Sequence, residues 1–421
     1  MLEAETEIKE ELAEDGSKTG IESENQDENI LEPFDPESIS IESKVIAMDT
    51  LIRRLEQKTI KLAPNFQRSE VWDSTRRSRL IESLMLKIPL PMFYVAADEE
   101  GAWEVVDGLQ RLSTIRNFIL GEKPEEEKEK DKKKLKLSDL EFLGKKFDGK
   151  TFVDIESDKS QVRLINTIRE SEMRFTVINP GTPEEVKRNI FKRINTGGMP
   201  LTGQEIRHAL YQGNSSNLLI KLVGLPEFIE VINSKINDTR MGARELVLRF
   251  LAFLIIPMNE YQSDMDKFLS NAMRVINCMP ELEHKKLLKI YGKEEAIPKI
   301  NYNNVAEIES QFILAMQRGK VLFGDHAFRK SLPNSSLKSP INKALFESWS
   351  AVLCELSEEN FEILVSRKTE FLVKYKKQLT PGAFNDSISR HATQKVNGVM
   401  MRYKVINKIV NEILVGNFDD N

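Results

Sequence analysis

The run from Met92 to Gly121, "MFYVAADEEGAWEVVDGLQRLSTIRNFILG", changes its periodicity once, and that change narrows the folds open to the chain. "MFYVA" and "AWEVV" are rich in β-branched and aromatic residues and stand apart by "ADEEG", which predicts a hairpin. After Asp107-Gly108 the apolar residues Leu112, Ile115 and Ile119 recur at helical spacing as far as Gly121, a glycine suited to end a helix. A strand pair leading directly into a helix calls for a sheet with helices packed on it. The expected class is therefore α+β for this part of the chain.

The flanking sequence extends the pattern. "VIAMDTLIRRLEQKTIKL" predicts a helix followed by a short strand, with ordered structure starting near Lys44. Asp73 or Ser74 is placed to cap a helix whose Leu80, Ile81, Leu84 and Ile88 form one face, and Pro89 and Pro91 stop it. "MRFTVIN", residues 173–179, alternates as a strand does. Thr182, Pro183 and Glu185 then make a helix-start signature of cap, first-turn proline and capping-box acid; Thr202 and Glu205 repeat the box. From about residue 215 the sequence reads as helix almost throughout. "ARELVLRFLAFLII", residues 243–256, is apolar around most of its circumference, as a central buried helix would be.

Charge divides the chain further. Residues 1–43 hold fifteen Asp or Glu and two Lys, a net −13, whereas the 421 residues together sum to −5; residues 44–421 therefore carry +8. The acidic segment lacks apolar periodicity and is expected to be disordered and dispensable for folding. It either solubilises the chain or competes with nucleic acid for the basic body. The expected division is an acidic tail over 1–43, an α/β domain over 44–214 and a helical domain over 215–421. No run approaches the roughly 18 apolar residues of a membrane helix. The acidic N-terminus has neither the basic nor the apolar region of a secretory leader, and two distant cysteines, Cys278 and Cys354, argue against a disulfide framework. A cytoplasmic protein is expected.

Asp107, Gly108, Gln110 and Arg111 collect at the strand-to-helix junction. First-turn amides of a helix lack intrahelical partners and carry the positive end of its dipole. Gly108 lets an anion approach them without a Cβ in the way, Arg111 adds a planar permanent charge, and Gln110 adds an amide. Asp107 either caps the helix or holds a magnesium ion through water. On spacing alone the cluster reads first as a capped helix with an exposed arginine. "NFQR" sets Arg68 in a loop where it can meet a phosphate. "RINTGG" offers Asn195, Gly197 and Gly198 as an anion-accepting nest or a simple helix end. The four histidines, His208, His284, His326 and His391, are scattered singly.

Five stretches together are more specific than any one of them. "NFQRSEVW", "RLIESLMLKIPLPMFYV", "EVVDGLQRLSTI", "IFKRINTGGMPLTGQEIRHAL" and "RMGARELVLRFLAF" occur in one order over roughly residues 60–256. In this they resemble the N-terminal domain family of GmrSD-type restriction endonucleases. The resemblance implies a fold related to ParB and sulfiredoxin. It also implies nucleotide-dependent defence against foreign DNA, with the motif Asp-Gly-Gln-Gln-Arg linked to nucleoside triphosphate hydrolysis. This chain has Leu109 at the first glutamine and keeps Asp107, Gly108, Gln110 and Arg111.

The resulting expectation is a nucleotide-binding, NTP-hydrolysing protein associated with DNA. Asp107 and Arg111 would be catalytic, with Asp107 also the magnesium position. Arg68, Gly108, Gln110, Asn195, Gly197, Gly198 and Arg207 would bind phosphate. A nucleoside triphosphate with Mg²⁺ would be the cofactor, DNA the partner, and a separate HNH nuclease subunit would cut. The alternatives are a non-catalytic DNA-binding regulator of ParB-like fold and an interaction scaffold. No membrane association is expected.

Overall fold

The computed structural model of the chain describes residues 8–13, 16–24, 39–62, 72–121, 135–194, 201–232, 236, 238–333, 335–389 and 393–415. In chain order the elements are β1 (Glu10–Leu12), β2 (Lys18–Glu22), β3 (Ile41–Ala47), α1 (Met48–Glu56), β4 (Ile60–Lys61), α2 (Ser74–Met85), β5 (Phe93–Ala97), β6 (Trp103–Asp107), α3 (Leu109–Leu120), α4 (Gly144–Phe147), α5 (Phe152–Ser157), α6 (Val162–Glu170), β7 (Glu172–Ile178) and α7 (Glu184–Ile194). There follow α8 (Gly203–Leu210), α9 (Asn214–Val223), α10 (Pro226–Ile232), α11 (Gly242–Ile255), α12 (Met265–Cys278), α13 (His284–Tyr291), α14 (Val305–Phe323), α15 (Lys343–Glu355), α16 (Glu358–Ser366), α17 (Lys368–Gln378), α18 (Ala383–Ser387) and α19 (Val396–Val415).

Two compact units result. Residues 31–200 form one; residues 1–30 and 201–421 form the other. The first unit is α+β, as the patterning predicts. Its sheet has the order β3-β7-β5-β6-β4. β3 pairs antiparallel with β7, β7 parallel with β5, β5 antiparallel with β6, and β6 parallel with β4. The hairpin of β5 and β6 turns through Asp98, whose carboxylate accepts from Glu100 N at 3.1 Å and Ala102 N at 2.8 Å. Phe93, Val95, Trp103, Val105, Met173, Phe175 and Val177 project from one sheet face into a core shared with Leu51, Ile81, Leu84, Leu112, Ile115 and Ile168 of the helices. Period-two side chains meet period-3.6 side chains there, which is what the sequence patterning requires.

Local chemistry sets several ends. Asp73 caps α2, accepting from Arg76 N at 2.7 Å. Buried Glu82 gathers the amides of Glu141, Phe142 and Leu143 at 2.9, 2.7 and 2.7 Å, which fixes the loop after the undescribed residues 122–134. Burial pushes the Glu82 carboxyl upward, but these three donors together hold it below its ordinary range.

The sequence expectations need four corrections here. Val45–Ala47 belong to β3, because the alternation that starts at Ile41 continues to Ala47 before α1 begins. Ile88 lies beyond the end of α2 and is half exposed. Thr182 spends its hydroxyl on Ser40, accepting from its amide at 3.2 Å and donating to its carbonyl at 3.1 Å. The boundary expected at 214/215 falls at 200/201, since α8 packs with α11 and α12.

The second unit is helical apart from the β1–β2 ribbon. α11 lies at its centre, with Ala243 and every residue from Leu246 to Ile255 buried. Residues 8–24 depart from the expected disorder: they form the ribbon, and Ile21 is fully buried in the helical core. The segment is too acidic to bury much apolar surface. Its carboxylates instead find cations: Glu24 pairs with Arg249, Glu22 with Lys330 and Glu11 with Lys343. Among the described residues no helix is long and apolar enough to cross a membrane.

Candidate functional site

Between β6 and α3 the chain makes an abrupt turn, and the hairpin register explains how. Val95 pairs with Val105 but Tyr94 with Asp107, so Val106 is one residue extra on β6. Such a bulge re-aims the strand end. Gly108 then takes φ +95°, a left-handed conformation that an L residue adopts only with strain. A Cβ there would also stand 2.4 Å from Phe93 Cδ1 and 3.1 Å from Arg111 Nη2. Only glycine fits.

α3 starts at Leu109 with no side-chain cap, and its first bond runs from Leu112 N to Gly108 O at 2.9 Å. Among the described residues no carboxylate or hydroxyl caps the opening amides of the helix. Asp107, the residue placed to cap, turns to Arg111 instead: Asp107 Oδ2 accepts from Arg111 Nη2 at 2.8 Å. Arg111 also donates to the carbonyls of Pro91 and Met92, the latter at 3.3 Å, and lies over the Phe93 ring at 4.6 Å. Its side chain is 12% exposed and that of Asp107 37%. Burial pulls the Arg111 guanidinium below its ordinary pKa, and Asp107 opposes the shift.

Gln110 is half-buried and makes no side-chain hydrogen bond within the described residues. Leu109 packs partly against the α/β core, which accounts for its apolar character at this position. Beside the turn opens a cleft of about 650 Å³, lined by Lys87, Ile88, Leu90, Met92, Glu170 and Arg174 among others. Met92 links the two features, since it lines the cleft while its carbonyl takes Arg111.

Three residues before Asp107, Glu104 has its carboxyl pushed up to about 7. Burial is the main cause; Lys61 opposes it, Asp98 and Glu184 add to it, and Lys187 opposes it. Among the described residues no group of three or more His, Cys, Asp or Glu could hold a metal ion. Asp107 is a single carboxylate. That suits a magnesium ion held mostly by water and phosphate oxygens rather than by a protein cage.

The other residues singled out in the sequence fall elsewhere. Arg68, Asn195, Gly197 and Gly198 lie outside the described residues. Arg207 belongs to the helical unit, where it is buried and committed to protein carboxylates. It donates to Asp266, to Glu245 at 3.4 Å and to Gln204 at 3.0 Å. Thr202 and Glu205 form the expected capping box, and Glu205 pairs further with Arg240 at 3.2 Å. Trp72 is half-buried against the α/β core. His208 is buried, His284 is exposed beside Glu294 at 2.7 Å, and His326 Nδ1 lies 2.9 Å from Ser331 Oγ. His391 lies outside the described residues. Residue types gave no sign of the Pro91 and Met92 carbonyls, because backbone acceptors carry no side-chain signature.

The first unit is thus an α+β domain whose distinguishing feature is an uncapped helix behind a glycine turn, flanked by an acid, an amide and a guanidinium. Residues 50–212 match the family model for the GmrSD restriction endonuclease, N-terminal domain, and this part of the chain is a domain of that family. The match extends past residue 200 to take in α8. No curated protein and no solved structure matches the chain.

Proposed function

We propose that the chain is a nucleotide-binding component of a prokaryotic restriction or phage-defence system, acting on or beside DNA and cutting through a separate nuclease. The observation that carries this reading is the first turn of α3, which has no side-chain cap, with Gly108, Asp107 and Gln110, whose side chain has no hydrogen bond within the described residues, inside a GmrSD-family domain. Anions bind at such helix ends because the amides point outward and the dipole favours negative charge. A nucleoside triphosphate would set its phosphates on these amides and on Gln110, and the adjoining cleft has room for its apolar part. Magnesium bound to the phosphates would supply charge neutralisation, with Asp107 as the protein's contribution to holding it. Arg111 would act by its charge just behind the turn and by holding the Pro91 and Met92 carbonyls, Met92 being a residue of the cleft wall.

A second reading is favoured by one specific contact. Arg111 is spent on Asp107 and two carbonyls, so phosphate binding without hydrolysis needs less rearrangement than catalysis does. In that case the turn grips a nucleotide or the DNA backbone as a regulator would. Labelled nucleoside triphosphates, offered to the purified chain with Mg²⁺ and with or without duplex DNA, separate the two. Saturable binding with phosphate release supports hydrolysis, and saturable binding alone supports the regulator. Retention of DNA without nucleotide assigns the turn to backbone phosphates. No retention of either ligand removes the proposal.

A further inference from the structure

Residues 8–24 sit on the helical unit much as a peptide sits in a receptor. Ile21 is the one fully buried apolar side chain of this segment, and it fits beside Gly242, where an added Cβ would come within 2.9 Å of Ile21 Cδ1. The backbone pairs on both sides of this anchor. Ile341 N donates to Gly20 O at 2.9 Å and Glu22 N donates to Ile341 O at 2.8 Å, a parallel bridge of Ile21 with Ile341. Main-chain bonds flanking a buried side chain are how an extended peptide docks on a strand-like edge.

The carboxylates supply the selectivity. Glu22 accepts from Lys330 Nζ at 2.8 Å and from Asn342 Nδ2 at 3.0 Å. Glu24 takes the Arg249 fork with both oxygens, and Glu11 on the paired strand takes Lys343 Nζ at 2.7 Å. Arg249 and Lys343 are themselves buried. Among the described residues of this cluster, Arg249, Lys343 and Arg402 of the helices and Lys330 of the loop before α15 stand against Glu245 and Glu347. Two positive charges are left for the N-terminal segment to answer. A desolvated cation without its counter-charge is costly, so the socket requires an acidic occupant.

The attachment is also of a kind that can open. A two-stranded ribbon has little stability of its own, Ile8 and Leu12 of the segment are exposed, and another carboxylate can take over the ion pairs. We propose that this socket is a receptor site for an extended acidic peptide of the pattern Ile-Glu-x-Glu, filled in cis by residues 21–24 and open to exchange with such a segment of a partner protein.

The test uses the full chain with a protease site placed between Ile30 and Leu31, where the two units part. After cleavage a fluorescent peptide of residues 8–24 is added and its anisotropy followed. The released native segment is identified by mass spectrometry. The proposal expects saturable entry of the labelled peptide, release of the native segment, weakening with salt, and at least tenfold weaker binding of the E22Q/E24Q peptide. In the uncut chain, Glu22→Gln with Glu24→Gln should let the wild-type peptide in where the parent excludes it. Exchange is overturned if the cut segment stays in place at every salt concentration, or if the cut protein aggregates despite excess peptide. Equal binding of the E22Q/E24Q peptide, or exclusion of the wild-type peptide from the uncut variant, overturns it as well.

Discussion

Asp107 and Arg111 hold each other at 2.8 Å across the first turn of α3, so the acid best placed to cap the helix leaves its amides open. The same guanidinium braces the Pro91–Met92 carbonyls and covers the Phe93 ring. Arg111 therefore has a structural task whether or not a phosphate is bound.

Replacement of Arg111 should consequently move two observables at once. Arg111→Ala removes the positive charge behind the turn and the brace on the Pro91 and Met92 carbonyls, and should weaken nucleotide affinity about tenfold, roughly 1.4 kcal/mol. It also strips two carbonyls and Asp107 of their donor, so the melting temperature should fall in the absence of ligand. Calorimetric titration and thermal melts read the two effects separately. An apo melting temperature equal to the parent's would show that the bracing contacts contribute nothing.

Leu109 departs from the usual motif, and its packing predicts what restoration would do. Leu109→Gln brings an amide to a position partly buried against the α/β core, at a cost of about 1 kcal/mol or more. The variant should melt earlier and bind nucleotide as the parent does. A rise in phosphate release with an unchanged melting temperature would instead place this side chain at the ligand.

Glu104 sets a pH dependence for the α/β unit. Its folded pKa of about 7 lies above the ordinary 4.5, so the folded state binds this proton more tightly than the unfolded one. The contribution to stability is present below about 4.5, falls as pH rises through about 7, and is gone above it. Glu104→Gln removes the ionisation and should stabilise the protein above pH 7, by at most about 3 kcal/mol. Melting curves of parent and variant across this range should converge toward low pH. Parallel curves would show that Glu104 ionises normally.

The element types were legible in the sequence wherever one periodicity ran long enough. The β5–β6 hairpin, α2 with its Asp73 cap, the Thr202–Glu205 box and buried α11 all follow from local pattern. The turn at Gly108 was legible as a cluster of chemistries. Its internal pairing was not, because nothing in the sequence decides whether Asp107 serves the helix amides or Arg111. Residues 8–24 were misread for a related reason. Composition measures how much apolar surface a segment offers, and here long-range ion pairs to Arg249, Lys330 and Lys343 supply what composition lacks. Arg207 is expected from the sequence at a phosphate, and only the fold reveals Asp266 and Glu245 against it.

Deleting residues 1–30 should therefore destabilise the helical unit rather than leave it unchanged. Removing Glu24 leaves Arg249 short of one of its carboxylates in a buried setting, where a broken pair costs about 3–5 kcal/mol. The melting temperature should drop by several degrees, and Arg249→Met in the deleted background should recover part of the loss. A deletion that melts with the parent would mean that the ribbon is not stably docked.

The central claim is that the open first turn of α3 receives the phosphates of a nucleotide. The most direct measurement is calorimetric titration of a nucleoside triphosphate with Mg²⁺ into the parent and into Gln110→Ala, whose side chain makes no hydrogen bond within the described residues. Saturable binding by the parent, about tenfold weaker binding by Gln110→Ala and an unchanged apo melting temperature are the predicted result. Equal affinity of the two proteins, or no binding by the parent, would contradict it.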